Sequence, residues 1–184
     1  MSPRLREIAL RGGTALGMVY GSPRFSLDLD FKLAELEKEF KVKVELLEKE
    51  FTRGIRRDIR VEHPVPTIVY VKTKEMSDIL VDKVCAIAGR SYALPRNVYD
   101  VDFIVRNGGK LNREHLEEEF GEWRETKGGL KRAVVLLEKA DHKSIMKEIN
   151  MLLPEGAKAN LEDTSRSLRT TSGLLEEAVE ALHG

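Results

Sequence analysis

The sequence predicts an α+β protein with a helical C-terminal part, and three observations lead to this class. Apolar and polar residues alternate with the period of half-buried strands at 26–33 and 55–63, and the apolar segment 67–73 predicts a further strand. A short helical segment, 14–21, precedes the first of these strands. After residue 75 the apolar spacing becomes helical, and it predicts helices at 76–90, 96–107, 112–125, 129–150 and 173–182. Strands with one early helix, followed by a run of helices, are typical of an α+β domain.

Three further segments carry less regular patterns. Residues 4–11 predict a short helix or strand, and residues 34–51 predict a short helix to Phe40 and then a strand. Residues 158–173 are polar and rich in Ser and Thr, which predicts a linker before a terminal helix capped by Ser172.

Composition limits the classes of protein to which the chain can belong. A chain of 184 residues with 41% hydrophobic residues fits a globular protein large enough for a real core. Basic and acidic residues both number 31, so net charge gives no argument for a nucleic-acid partner. No apolar run approaches the ~18 residues of a membrane span, and no signal-peptide pattern opens the chain. The lone Cys85 excludes an internal disulfide and suits a reducing compartment, so we expect a cytoplasmic protein that does not bind a membrane.

Two carboxylates lie close together in the first predicted strand, RFSLDLDF. Asp28 and Asp30 alternate with Leu27, Leu29 and Phe31, so both acids face the same side of the strand. Their Cα atoms would be roughly 6.6 Å apart, at ~3.3 Å per residue. Like charges this close repel each other, and they are tolerated either in water or around a cation.

A pair of glycines precedes this strand. Gly12 and Gly13, followed by Thr14 at a helix start, would direct unpaired N–H groups at an anion, and glycine lets a phosphate approach closely. The same pair also occurs in ordinary turns. A phosphate-binding turn beside a strand with Asp-x-Asp is the arrangement that a nucleotide–metal site requires.

The segment GGTALGMVYGSPRFSLDLDF resembles the first motif of the AbiEii/AbiGii-type nucleotidyltransferase toxins, which belong to the DNA polymerase β-like superfamily. KVCAIAGR resembles the second motif and supplies Lys83, Ala86 and Arg90. RNVYD resembles the third, in which Asp100 matches the second Asp but Asn97 replaces the first. The resemblance covers residues 8–108 well and the helical tail poorly.

The resemblance implies a polymerase β-like core at 1–108, a small mixed sheet with flanking helices, and a helical region at 109–184 packed on it. It implies that Mg²⁺ and an NTP bind, and that a nucleotide passes to a hydroxyl of RNA, such as a tRNA 3′ end, or of a protein. It also implies a cognate antitoxin as partner. The implied catalytic residues are Asp28, Asp30, Lys83 and Asp100; the nucleotide-binding residues are Gly12, Gly13, Thr14, Arg24, Ser26, Lys83 and Arg90; the metal ligands are Asp28, Asp30 and Glu62, with Asp58 as a second choice for the third ligand.

Helical spacing gives the second and third motifs an independent interpretation. Lys83 and Arg90 lie at i and i+7, on one face and about 10 Å apart, the span of a triphosphate. Alternatively, both cations simply face solvent. Asp100 either faces the Lys83 helix and orients that lysine or the attacking hydroxyl, or forms a surface ion pair with Arg96. Asn97 either belongs to the site or caps its helix.

Two other functions remain open from the sequence. A nucleotide-binding module without turnover is compatible with Asn97 in place of an Asp. An interaction protein is compatible with the apolar stripe of the last helix, which consists of Leu174, Leu175, Val179 and Leu182.

Overall fold

The structure, a computed structural model, describes residues 8–26, 31–33, 72–92, 94–122 and 126–182. Seven α-helices account for most of the described residues. They are α1 (Gly12–Met18), α2 (Met76–Ala88), α3 (Pro95–Arg106), α4 (Arg113–Glu122), α5 (Thr126–Glu138), α6 (His142–Met151) and α7 (Leu161–Ala181). A 3₁₀ turn at Glu155–Ala157 lies between α6 and α7.

Three short strands lie beside these helices: β1 (Ile8–Leu10), β2 (Phe31–Leu33) and β3 (Lys72–Thr73). The central strand β1 pairs antiparallel with β2 and parallel with β3. Leu10 lies opposite Phe31 on one side and Thr73 on the other.

The predicted fold class is wrong for the part of the chain that the structure describes. An α+β protein on a polymerase β-like core with a small mixed sheet was expected, yet the described residues are predominantly helical. The strands β1, β2 and β3 contain only three, three and two residues. The buried apolar side chains lie on all seven helices, so helix packing builds the described core. The described residues show no polymerase β-like core.

Most of the predicted strand residues lie outside the described part of the chain. Of 26–33, only Phe31–Leu33 is described as a strand, while Ser26 is irregular. Of 67–73, only Lys72–Thr73 is described. The predictions for 34–51 and 55–63 fall entirely outside the described residues.

The early predicted helices agree with the structure to within a few residues, but the later ones required correction. The predicted helix 129–150 is interrupted, because the Asp141 carboxylate accepts hydrogen bonds from the N–H groups of Lys143 and Ser144, both at 3.2 Å, and thereby starts α6.

The predicted linker 158–173 is instead the first half of α7. Asn160 and Asp163 form a capping box: the Asp163 N–H donates to Asn160 Oδ1 at 2.8 Å and the Asn160 N–H to Asp163 Oδ2 at 3.2 Å. The hydroxyls of Ser167 and Thr171 donate to carbonyls one turn earlier, so a Ser/Thr-rich helix face can be buried without unsatisfied donors. Ser172 therefore lies within the helix and does not cap it.

Helix α3 occupies the centre of the described helices, packing against α2, α6 and α7. Its apolar residues Val98, Val101 and Ile104 are completely buried. The buried cluster contains residues from both sides of residue 108, and the division into domains 1–108 and 109–184 stays a prediction. No helix among the described residues is long and apolar enough to span a membrane.

Candidate functional site

A completely buried carboxylate on α3 binds two cations. The Asp100 Oδ1 atom lies 2.6 Å from Arg24 Nε, and Oδ2 lies 2.8 Å from Arg24 Nη2 and 2.9 Å from Lys83 Nζ. The Arg24 and Lys83 side chains are 3% and 12% exposed, and that of Asp100 is 0% exposed. The Arg24 pairing is bidentate, and Lys83 adds a second cation. Two cations around one carboxylate give the group a net positive charge in a largely buried setting.

Three separate segments bring these side chains together. Pro95 at the first position of α3 fixes the helix start, and Asp100 lies in the second turn. Lys83 comes from the middle of α2, which packs beside α3. Arg24 follows the turn after α1, in which Gly21 adopts φ +73°, a conformation that glycine takes without steric cost.

Gly13 permits the position of the Arg24 guanidinium. A Cβ at residue 13 would overlap Arg24 Nη2 and lie 2.9 Å from Ser26 Oγ. The Arg24 Nη1 atom also donates to the Phe25 carbonyl at 2.8 Å, so three of the hydrogen-bonding directions of the guanidinium are fixed. Glycine at position 13 is therefore explained by the close packing of Arg24 and Ser26.

The three segments border one polar cavity of about 240 Å³. Its lining contains five cationic side chains and one carboxylate, so its charge favours an anionic ligand. The lining residues are Arg11, Gly12, Gly13, Arg24, Ser26, Asp82, Lys83, Ala86, Arg90, Arg96 and Asn97.

The structure thus gathers most of the sequence-predicted nucleotide-binding residues around one cavity. Thr14 lies just behind the lining, with its hydroxyl 3.4 Å from Ser26 Oγ. Asp100 lies behind it as the partner of Lys83, in agreement with the prediction that it faces the Lys83 helix. Asp28, Asp30, Asp58 and Glu62 lie outside the described residues. The roles of all these residues stay predictions.

Two alternative interpretations are wrong. Asp100 forms no surface ion pair with Arg96, because its side chain is completely buried between Arg24 and Lys83. Asn97 does not cap α3, because Leu94 occupies the N-cap position. Asn97 is instead 4% exposed and borders the cavity.

Sequence reasoning considered Arg96 only as an ion-pair partner of Asp100, and it missed two other charged residues of the lining, Arg11 and Asp82. Each adjoins a residue that was assigned: Arg11 precedes Gly12, and Asp82 precedes Lys83. The only signal in the sequence was therefore that each residue is next to an assigned one, and this does not show where its side chain points.

The described lining does not by itself form a magnesium site. Its only carboxylate, Asp82, accepts hydrogen bonds from Lys74 Nζ on both oxygens, at 2.9 and 3.0 Å. Asp100, behind the lining, also has both oxygens engaged by cations. Magnesium ligation would therefore depend on Asp28, Asp30 and Glu62, for which it stays a prediction.

Cys85 is not suited to nucleophilic chemistry at neutral pH. Burial, with smaller contributions from the nearby carboxylates of Glu119 and Asp82, raises the pKa of the Cys85 thiol to about 12. The thiolate is the reactive form of cysteine, and this environment disfavours it.

In the part of the chain that the structure describes, the fold is predominantly helical and the cavity is a cationic pocket suited to an anionic ligand. The family model of the nucleotidyl transferase AbiEii toxin, Type IV TA system, matches the chain over residues 2–70 and 41–170. The chain belongs to this family, and the predicted family resemblance is confirmed. No curated protein and no solved structure matches the chain significantly.

Proposed function

We propose that this member of a nucleotidyltransferase toxin family binds a nucleoside triphosphate in the cationic cavity and transfers its nucleotide to a hydroxyl group. The observation that carries the proposal is the convergence of Lys83, Arg24 and Gly13 on one cavity, with Asp100 fixing both cations. Family membership supports the reaction class at the level of nucleotidyl transfer. A cavity of about 240 Å³ suits the phosphate part of a nucleotide, since pockets for whole ligands measure ~300–1,000 Å³.

Lys83 is the residue we assign to phosphate binding. Its ammonium group has three N–H donors, and Asp100 accepts from one direction only, which leaves donors for phosphate oxygens in the cavity. Arg24 has its Nε, Nη1 and Nη2 atoms engaged by Asp100 and Phe25, so it mainly positions the group. Asp100 acts on Lys83 as a positioning residue, because both of its oxygens already bind cations.

The transfer step is a substitution at the α-phosphorus. The oxygen of the acceptor hydroxyl forms a bond to phosphorus, the bond to the bridging α–β oxygen breaks, pyrophosphate leaves, and the hydroxyl proton passes to a base or to solvent. Asp28 and Asp30, two and four residues after Ser26 in the sequence, would hold Mg²⁺ with Glu62 as a third ligand, and the bound ion would neutralise phosphate charge. The contribution of the described residues is position and positive charge.

The acceptor and the partners belong to the proposal as well. The acceptor is a hydroxyl of RNA, such as a tRNA 3′ end, or of a protein, and no described feature favours RNA. Because the family consists of toxins of Type IV toxin–antitoxin systems, a cognate antitoxin is the expected partner. A cytoplasmic location follows from the lone cysteine and stays a prediction.

Nucleotide binding by Lys83→Ala tests the proposal. We expect at least a tenfold loss of NTP affinity with Mg²⁺, measured by calorimetry, while the control Lys131→Ala, an exposed lysine of α5, binds as the parent does. Transfer is measured with α-labelled NTPs, total tRNA and a protein extract. If Lys83→Ala keeps full affinity and only lowers the melting temperature, the lysine is structural and the assignment fails.

A nucleotide-binding protein without turnover is the second candidate, and Asn97 favours it. Its side chain is buried at the cavity, where an amide cannot act as a general base near neutral pH. Asn97→Asp decides between the candidates. If Asn97→Asp releases much more pyrophosphate than the parent, the natural protein is better described as a nucleotide-binding protein. If the variant and the parent differ little, the enzyme is favoured.

A further inference from the structure

A second cluster of charged side chains lies where α2 meets α4. Asp82 of α2 and His115 and Glu119 of α4 place one ligand atom each within 4.8 Å of one another. His115 Nε2 lies 3.9 Å from Asp82 Oδ1 and 3.9 Å from Glu119 Oε1. We propose that this cluster binds one transition-metal ion of the Zn²⁺ class, at a site that adjoins the nucleotide cavity through Asp82.

The histidine nitrogen is the observation that points to a cation. Nε2 is buried and has no hydrogen-bond partner among the described residues. A protonated Nε2 would be expected to approach a carboxylate to ~2.7–2.9 Å, which neither distance of 3.9 Å meets. An unprotonated Nε2 would direct its lone pair at two anionic oxygens. A cation between these three atoms accounts for the missing hydrogen-bond partner of Nε2 and for the two carboxylate oxygens near it.

The two distances from His115 Nε2 to the carboxylate oxygens are compatible with coordination after a small adjustment. Ligand atoms at ~2.0–2.1 Å around a tetrahedral Zn²⁺ lie roughly 3.3 Å apart, so each 3.9 Å separation has to close by about 0.6 Å. One imidazole with two carboxylates suits a first-row transition metal better than Mg²⁺, which prefers oxygen ligands alone.

Hydrogen bonds of the Asn112 side chain connect the two helices at this point. The Asn112 side chain accepts from the His115 N–H at 3.2 Å, and its amide donates to Asp78 Oδ1 at 3.1 Å. Asn112 thus caps the start of α4 and connects it to α2. The positions of His115 and Asp82 are consequently set by rigid elements, which is what a metal site needs.

Lys74 shares the Asp82 carboxylate, and the proposal has to accommodate it. Its Nζ donates to both oxygens of Asp82, at 2.9 and 3.0 Å. A carboxylate has about four acceptor positions, so Oδ1 keeps one for a metal. The nearby ammonium weakens the attraction for a cation, and we therefore expect Lys74→Met to tighten metal binding severalfold.

Zinc binding by the tag-free, chelator-treated chain without nucleotide tests the site. We expect one Zn²⁺ per chain and a rise in melting temperature for the parent. His115→Gln and Glu119→Gln should each lose at least tenfold in affinity, and Glu119→Gln decides if the histidine variant does not fold. Glu117→Gln, an exposed neighbour on the same helix, is the matched control and should bind as the parent does.

The test also separates this site from the proposed nucleotide–metal site. The double variant Asp28→Asn, Asp30→Asn should keep the zinc affinity of the parent. If the parent binds no zinc, the cluster is an ion-pair network around a protonated histidine and the proposal is overturned. Equal zinc binding by Glu119→Gln and the parent would overturn it too, since the zinc would then bind elsewhere.

Discussion

Two buried carboxylates, two positions apart on α3, have different environments. Asp100 lies behind the cavity lining, and both of its oxygens contact cations whose side chains are 3% and 12% exposed. Asp102 faces α7: its Oδ2 lies 2.9 Å from Ser167 Oγ and 3.0 Å from Arg106 Nε, while Oδ1 has no partner among the described residues. The same residue type thus fixes the two cations of the candidate site on one helix face and connects packed helices on the other.

The exposure of the cationic partners explains why these positions should respond differently to mutation. Two arginines contact Asp102, namely Arg106 and Arg166. Their side chains are 47% and 42% exposed, so both can be solvated if the carboxylate is lost. Arg24 and Lys83 have little access to water. A buried cation without its partner is costly, so the cavity side is the more sensitive of the two.

Asp100→Asn should have the largest effect. Removing the carboxylate charge leaves Arg24 and Lys83 unpaired, and we expect a loss of about 3–5 kcal/mol in the free energy of unfolding, measured by urea denaturation. NTP binding should fall with it, because Lys83 loses its anchor. A variant that unfolds like the parent would show that the cations do not depend on Asp100.

Gly13→Ala should disturb the packing around Arg24 without changing any charged residue. The added methyl group overlaps Arg24 Nη2, so we expect a loss of about 1–3 kcal/mol in stability together with weaker NTP binding. Gly17→Ala is the matched control on the same helix, because its Cβ would lie 3.7 Å from the nearest atom. In the control, the better helix propensity of alanine should add up to ~1 kcal/mol. Equal behaviour of the two variants would contradict the packing reason given for Gly13.

Asp102→Asn should change stability alone. We expect a loss of about 1–2 kcal/mol, since one hydrogen bond to a charged group is weakened and both arginines can be solvated. NTP affinity, measured by calorimetry on the folded variant, should equal that of the parent. A tenfold loss of affinity would show that the α7 side also governs the cavity.

The contact between Lys83 and Asp100 was predictable from local patterns together with the family motifs. Helical spacing placed Lys83 on a defined face of α2, and Pro95 marked the start of α3. The family motifs supplied the pairing of the two helices, which spacing alone does not give. Arg24 was expected in the site, but its bidentate contact depends on the turn after α1 and on the space at Gly13.

The α7 side could not be predicted in the same way. Thr164, Ser167 and Thr171 made the first half of α7 appear to be a linker, because these residues favour turns and caps in isolated segments. Their burial depends on carbonyls one turn earlier and on the surface of α3, where Thr171 Oγ1 lies 3.4 Å from the Val98 carbonyl. Likewise, alternation predicted strands, but whether a sheet forms the core depends on which surfaces pack against it.

The smallest effect concerns pH and the start of α7. The N–H of Asn160 donates to Asp163, and this bond, with a further contribution from Arg166, lowers the pKa of Asp163. A carboxyl with a lowered folded-state pKa stabilises the fold above its unfolded pKa of ~3.9, and this stabilisation is lost as the pH falls through the folded-state value. The stability difference between the parent and Asp163→Asn should therefore be constant from pH 7 to pH 5 and shrink below about pH 4. Because Asp163 is partly exposed, we expect the difference to be only a few tenths of a kcal/mol, measured by urea denaturation at each pH. NTP affinity should not differ between the two proteins at pH 7, since Asp163 lies on the α7 side. If the stability difference instead persists undiminished at pH 3, the Asp163 charge does not stabilise the helix start.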